Sequence, residues 1–413
     1  MHKSGGYVAG GTTPSPTVPV ALRRVLDLVV SGEATSRAEI ARRSGLARST
    51  VGQQVDHLLH RGILQELEAR ESVRGRPPRI LTISPQAGTI AVADIDTLST
   101  EIAIADLTHR VLARDTVDIP VDSGPQAVLD GVTERLLGLL AEHGRDPARV
   151  REVVVGLPGP VDFQQGCAVR PTGMPGWDGY PVAERLRESF LAPVVVDNDV
   201  NLMALGEASQ DNVDTPLLCI KIASGIGAGI ITADGDVYRG ADGAAGDIGH
   251  IRAIGGGEVL CSCGNVGCVG AVASHRALLR SLGIPEATGE DALHGAHALA
   301  QLVANSDPRA LHALRQAATE IGEVVAMLVH MFNPRTLVLG GPLSELRDDL
   351  LSGVRAVVYQ RALPLATRKL TITTTQLGTS AGIHGGIALA TRDIFSTPGL
   401  ARLLAAERGQ GGA

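Results

Sequence analysis

Four side chains that bind soft metals fall between Ala244 and Cys268, in AAGDIGHIRAIGGGEVLCSCGNVGC: His250, Cys261, Cys263 and Cys268. Ten residues separate His250 from Cys261, and the pattern C-x-C-G-x-x-G-C follows. One imidazole nitrogen and three thiolates suit a closed tetrahedral Zn²⁺ site, and four protein ligands leave no open position, so the expected metal is structural. Gly264 and Gly267 let the backbone fold tightly between the ligands. Three of the five cysteines lie within eight residues. Such a cluster fits metal in a reducing cytoplasm better than a disulfide framework.

Four other places could carry chemistry. Ser224-Gly225-Ile226-Gly227-Ala228-Gly229 would let backbone N–H groups approach a phosphate or sugar, and equally it is a tight hairpin turn. Asp197-Asn198-Asp199-Val200-Asn201 follows a predicted strand; carboxylates there can bind hydroxyls or act as a base, or the run can cap a helix. Pro158-Gly159-Pro160-Val161-Asp162 is a rigid loop after a strand, and Gly340-Gly341-Pro342 lies between a strand and a helix. The lone Trp177 suits a core position better than stacking on a sugar.

These residues need elements to hold them. With 413 residues, 44% of them hydrophobic, the chain should hold more than one domain. Thr89–Asp94, Thr100–Asp106 and Val111–Ile119 read as a strand meander, followed by a helix over Gln126–Glu142 and a strand over Glu152–Leu157. Leu217–Ile222, Gly229–Thr232 and Asp236–Arg239 repeat the meander, and helices at Ala310–Met331 and Ala381–Arg392 flank a strand at Leu337–Gly340. Two related α/β halves imply a cleft between lobes.

The front of the chain differs. Residues 1–83 carry Lys3 and eleven Arg against seven acidic residues, a net +5, so the remainder carries −12 of the overall −7. A basic front on an acidic body points to a nucleic-acid contact at the front only. Leu22, Val25, Leu26 and Val29 recur at helical spacing in Val20–Val30. Ser36 with Glu39 is a capping box opening a second helix, which stops at Ser44-Gly45. A third helix begins near Arg48 and buries Val51, Val55, Leu58 and Leu59. Helix, short turn, helix is the helix-turn-helix pattern, whose second helix enters the major groove. Arg48, Ser49, Thr50, Gln53 and Gln54 would meet base edges there. Two short strands around Arg74-Gly75-Arg76 form a wing whose basic tip suits a minor groove. The opening MHKSGGYVAGGTTPSPT reads as a disordered tail without the apolar core of a secretory signal. No apolar run approaches the ~18 residues of a membrane span.

In order along the chain, the wing-tip GRP, GLPGPVD, VVVDNDVN, SGIGAG, the GH…CxCGxxGC motif and VLGGP resemble the ROK family of bacterial repressors and sugar kinases, over about residues 20–395. The resemblance implies an N-terminal winged helix-turn-helix and an α/β ribonuclease H/actin-like two-lobed body. The expected divisions are a disordered tail at 1–17, the DNA-binding domain at 18–83, a first lobe at 88–198 plus 376–395, a second lobe with the zinc loop at 199–375, and a C-terminal tail at 396–413. It also implies effector contacts at Gly159, Asn198, Asp199, Asp247 and His250. The partners implied are double-stranded operator DNA, a sugar or sugar derivative, and a second copy of the chain in a homodimer or tetramer. The kinases' D-x-G-G-T phosphate loop reads Asp94-Ile95-Asp96-Thr97-Leu98 here, which removes close backbone approach and sets an Asp against phosphate. Asp199 matches the family's catalytic base, yet no kinase activity is expected. Two family glutamates are replaced, by Asp247 and Gly270. The expectation is a cytoplasmic regulator, with a kinase carrying a fused DNA module and a ligand-blind regulator as the alternatives.

Overall fold

The computed structural model describes residues 18–68, 79–285, 298–346 and 348–406. Two compact units emerge, one drawn from Met1–Thr89, Asp106–Arg110 and Thr391–Ala413, the other from Ile90–Ala105 and Val111–Ala390.

The first unit starts with three helices, α1 (Val20–Val30), α2 (Arg37–Ser44) and α3 (Arg48–His60). Leu22, Val25, Leu26 and Val29 form the buried stripe of α1, as the spacing requires. Ser36 caps α2 by accepting from the Glu39 N–H at 3.3 Å, while Glu39 Oε2 accepts from the Thr35 N–H at 3.1 Å. Gly45, at φ +71°, closes α2 in the left-handed region that a side chain would strain. In α3, Val51, Val55 and Leu58 are buried, whereas Leu59 is only half-buried. Strands β1 (Leu64–Glu68) and β2 (Arg79–Ile83) pair antiparallel from Leu64 opposite Ile83 to Glu68 opposite Arg79. The wing-tip residues Arg74, Gly75 and Arg76 lie outside the described residues.

The second unit holds two sheets. Strands β3 (Thr89–Ile95), β4 (Thr100–Asp106) and β5 (Val111–Val117) lead into helix α4 (Pro125–Glu142), then β6 (Val150–Leu157), a short pair β7 (Val161–Asp162) and β8 (Cys167–Ala168), helix α5 (Val182–Arg187) and β9 (Val194–Asn198). The five-stranded sheet has the order β5-β4-β3-β6-β9, with β6 and β9 parallel. Its core joins Ile102, Ile104, Val128, Leu136, Val153 and Phe190. Trp177 belongs to this core: it is fully buried and donates from Nε1 to Val121 O at 2.9 Å, so it stacks on nothing in the cleft.

Helix α6 (Asp199–Ala208) leads to β10 (Leu217–Ile222) and β11 (Ile226–Ile231). After them come α7 (Val269–Ala273), α8 (His275–Ser281), α9 (Pro308–Phe332), β12 (Thr336–Gly340), α10 (Pro342–Leu346), α11 (Asp348–Arg361), α12 (Pro364–Thr367) and β13 (Thr371–Thr374). The four-stranded sheet runs β11-β10-β12-β13. The expected third meander strand at Asp236–Arg239 is only a bridge between Ile231 and Val237. The Tyr238 N–H still donates to Ile230 O at 2.8 Å, and Arg239 beyond it pairs with the carboxylate of Asp197. Helix α13 (Ala381–Ile394) ends the second unit and enters the first, where α14 (Thr397–Ala406) follows. The stretch expected to be a C-terminal tail is thus partly helical, with Leu400, Ala401 and Leu403 buried. Arg23 donates to Thr397 Oγ1 (2.9 Å) and Arg61 to Leu404 O (2.7 Å), so basic residues of the front tether it. No described helix is long and apolar enough to cross a membrane.

Candidate functional site: a polar cleft beside a four-ligand metal group

The second unit contains a cavity of about 440 Å³. All five expected effector contacts, Gly159, Asn198, Asp199, Asp247 and His250, line it. Asn198 ends β9 and caps α6: its Oδ1 accepts from the N–H groups of Val200 (3.0 Å) and Asn201 (3.3 Å). Its Nδ2 donates to Gly159 O at 2.8 Å, which ties the 158–162 loop to the helix start. The capping and ligand-lining readings of this run therefore coexist in the same residues.

Ser224–Gly229 likewise combines two roles. Ile222 faces Ile226 across the β10–β11 hairpin, and Ala223 N–H donates to Gly225 O at 2.9 Å. The same residues from Ala223 to Ala228 line the cavity. Gly229 is required for packing, because a Cβ there would lie 2.5 Å from Val200 O and 2.6 Å from Ala204 Cβ. The glycine lets α6, and with it Asp199, lie against the hairpin.

At the floor of the cleft, Lys221 Nζ is 2.7 Å from Asp199 Oδ2 and 2.9 Å from Asp96 Oδ2. Asp199 Oδ1 accepts from the Val200 N–H at 2.8 Å, so both its oxygens are engaged. Asp94 lies nearby with a buried Oδ1 that has no hydrogen-bond partner. Burial pushes the Asp94 carboxyl up to about 8 against the pull of Lys221, so it is largely protonated at neutral pH. Burial opposes ionisation of Asp96 too, but the Lys221 ammonium and the Thr97 N–H hold it below the usual carboxylate range. For Asp199, burial outweighs Lys221 and raises the carboxyl. Burial would lower Lys221, yet the surrounding carboxylates keep its proton well above the ordinary lysine value.

Sequence reasoning missed Lys221. The available signal was a single charge inside the apolar strand LLCIKI, costly unless paired. It also missed Arg239, whose guanidinium meets Asp197 Oδ2 at 2.5 Å and stacks 4.0 Å from the Phe163 ring centroid. Nothing local marks that contact, since Arg239 lies 42 positions from Asp197 along the chain. Arg276 and Arg280 on α8 add further positive charge to the cleft lining.

A His/Cys group that could hold a metal ion adjoins this cleft. His250, Cys261, Cys263 and Cys268 place their ligand atoms within 4.8 Å of one another. Cys261 Sγ is 3.5 Å from His250 Nδ1, and the Cys263 and Cys268 sulfurs are 3.7 Å apart. Tetrahedral Zn–S bonds of ~2.3 Å place sulfurs ~3.8 Å apart, so the donor set and its spacing fit zinc. Gly264 and Gly267, at φ +90° and +72°, make the turns that bring the thiols together. The Asn265 N–H lowers the Cys263 thiol to about 7, whereas burial pushes Cys268 up to about 12. His250 and Cys261 also line the cleft, so the metal group forms part of its wall. Gly270, where the family pattern has a glutamate, lines it as well.

In the first unit, Arg48, Ser49 and Gln53 are exposed on α3, with Thr50 and Gln54 half-buried. Gln53 and Gln54 also border a recess of about 350 Å³ whose far wall is α14, through Ala401, Leu404 and Ala405. The C-terminal helix therefore lies beside the expected base-reading surface, which the sequence reading did not foresee.

The ROK family profile matches residues 91–393, nearly all of the second unit, and the chain belongs to the ROK family. A putative xylose repressor of Caldicellulosiruptor sp. (strain Rt8B.4) is 27% identical over 386 residues, covering 91% of this chain and 96% of its own. A glucokinase of Halalkalibacterium halodurans is 30% identical over 313 residues, covering 71% of this chain and 92% of its own. Among solved structures, a ROK family transcriptional regulator, described as a homolog of the E. coli MLC protein, superimposes with a TM-score of 0.73 at 24% identity. The superposition covers 94% of this chain and 98% of that one.

Proposed function

We propose that this chain is a transcriptional repressor of carbohydrate-use genes that binds operator DNA and is released by a sugar or sugar derivative. The observation that carries the reading is one chain combining the α2–turn–α3 unit with a polar cleft of family type. The unit is a winged helix-turn-helix on this reading: α3 presents Arg48, Ser49, Thr50, Gln53 and Gln54 to the major groove, and Arg74, Gly75 and Arg76 reach the minor groove. A homodimer would set two such units on half-sites of a pseudo-palindrome. The effector lies among Gly159, Asn198, Asp199, Asp247 and His250, between lobes formed by 88–198 plus 376–395 and by 199–375. Coverage supports the regulator branch: the repressor match takes in 91% of the chain and so includes most of its first 90 residues, which a 71% match need not do.

Zinc at His250, Cys261, Cys263 and Cys268 is structural on this reading, stiffening the wall that carries His250 into the cleft. Effector binding changes DNA affinity only if the two conformations of the body differ in their affinity for the effector. The site of action is the cytoplasm, where the operator lies.

The testing experiment is a thermal-shift screen against sugars, amino sugars, sugar phosphates and ATP, paired with binding to the promoter DNA of the chain's own gene. A sugar that stabilises the protein and releases the DNA supports the reading; absence of DNA binding overturns it. A sugar-kinase reading has one observation in its favour, Asp199 at the family's base position. Against it stand Asp96 and Thr97 in the phosphate loop and the engagement of both Asp199 oxygens. Sugar-dependent ATP consumption abolished by Asp199→Asn would establish the kinase instead.

A further inference from the structure

Lys221 is the one charged residue in β10, and its side chain is only 14% exposed. It bridges elements far apart in sequence: Asp96 follows β3 of the five-stranded sheet, Asp199 opens α6, and Lys221 lies in the four-stranded sheet. Asp94, in β3 two residues before Asp96, adds a third carboxyl with a buried, unpartnered oxygen. Asp96 and Asp199 both meet the Lys221 ammonium, and Asp94 acts on it through charge; carboxylate oxygens are the hard ligands that a divalent cation takes. In this chain an ammonium already lies among them. A second cation within about 3–4 Å of it would be strongly repelled in so buried a place.

We propose that Lys221 is the specificity-determining residue of the cleft: a built-in cation that takes the place of a divalent metal among Asp94, Asp96 and Asp199, so that the cleft holds its ligand without metal or nucleotide. Polyphosphates bind carboxylate-rich sites through a bridging metal, and Lys221 removes that bridge. The ammonium has three N–H donors, of which two meet Asp96 and Asp199. Because Lys221 lines the cavity, its third donor is offered to an acceptor oxygen of the bound ligand. The proposal rests on the regulator reading of the cleft, but its test is read separately from DNA binding.

The test measures Mn²⁺ binding by electron paramagnetic resonance on full-length, zinc-loaded protein. Wild type, Lys221→Met and the double variant Lys221→Met/Asp199→Asn are compared, with Trp177 emission checking that each is folded. Wild type is expected to show no saturable Mn²⁺ binding. Lys221→Met is expected to gain one saturable Mn²⁺ site, as freed aspartate oxygens should, and the double variant to lose it. A folded Lys221→Met that gains no Mn²⁺ overturns the proposal. Should the Met variant not fold, wild type and Lys221→Arg decide: both must refuse Mn²⁺. A saturable site in either that vanishes with Asp199→Asn overturns it. Promoter binding by wild type, measured in parallel, shows whether the regulator reading fails on its own.

Discussion

Asp94→Asn should stabilise the protein, increasingly so as pH rises from 5 to 8. The folded chain keeps the Asp94 carboxyl protonated until about pH 8, because burial penalises the carboxylate, whereas an unfolded chain would ionise it near its ordinary 3.8. Between those values the folded state binds the extra proton. The group's contribution to stability is complete below about pH 4 and is lost as pH rises through about 8. Each pH unit within that window costs up to ~1.4 kcal/mol. Asparagine has nearly the same shape and no carboxyl proton to lose. The advantage of the variant should therefore grow by ~3 kcal/mol between pH 5 and pH 7 and level off above pH 8. The assay is urea unfolding of both proteins at a series of pH values, followed by emission of Trp177. That residue is the single tryptophan and lies in the same core as Ala93 and Ile95, the neighbours of Asp94 in β3. Parallel stability curves for wild type and variant across pH 5–8 would refute the reasoning, because they would mean that Asp94 is already ionised in the folded protein.

Cys263→Ser should bring the zinc content below one per chain in a metal assay; an unchanged count would remove Cys263 from the ligand set. Gly229→Ala should cost ~1–3 kcal/mol of stability in urea unfolding, because its Cβ would press on Val200 O and Ala204. A neutral result would show that α6 can shift away from the hairpin. Gln53→Ala should change the preferred base at one operator position by ~1–3 kcal/mol in a binding panel of operator variants. Equal loss across all sequences would assign Gln53 to the phosphate backbone.

Much of the site was legible because its signals are local. The Cys261–Cys268 spacing, the Ser36 cap, the buried stripe of α1 and the Asn198–Asp199 run at a strand end each depend on residues a few positions apart. Apolar periodicity and turn chemistry act over that range, so the main helices and most strands fell where the pattern put them. Asp236–Arg239 did not: so short a stretch makes only the Ile231–Val237 bridge. Helix α14 was illegible for a related reason. Its Leu400 and Leu403 gain their meaning only once buried, and the tethers from Arg23 and Arg61 are more than 340 residues away in sequence.

The sequence by itself determined the His/Cys group that could hold a metal, the basic front and the loss of the phosphate-loop glycines, because each is a matter of which residue types stand close together along the chain. Only the tertiary structure decided what the cleft's charges do. Asp94, Asp96, Asp199 and Lys221 come from a strand, a loop, a helix start and a second sheet, and their ionisation depends on burial and on one another. An aspartate that reads as a candidate base thus becomes, once folded, the partner of a lysine 22 positions away. Distance through space sets electrostatic energies, and distance along the chain does not reveal it.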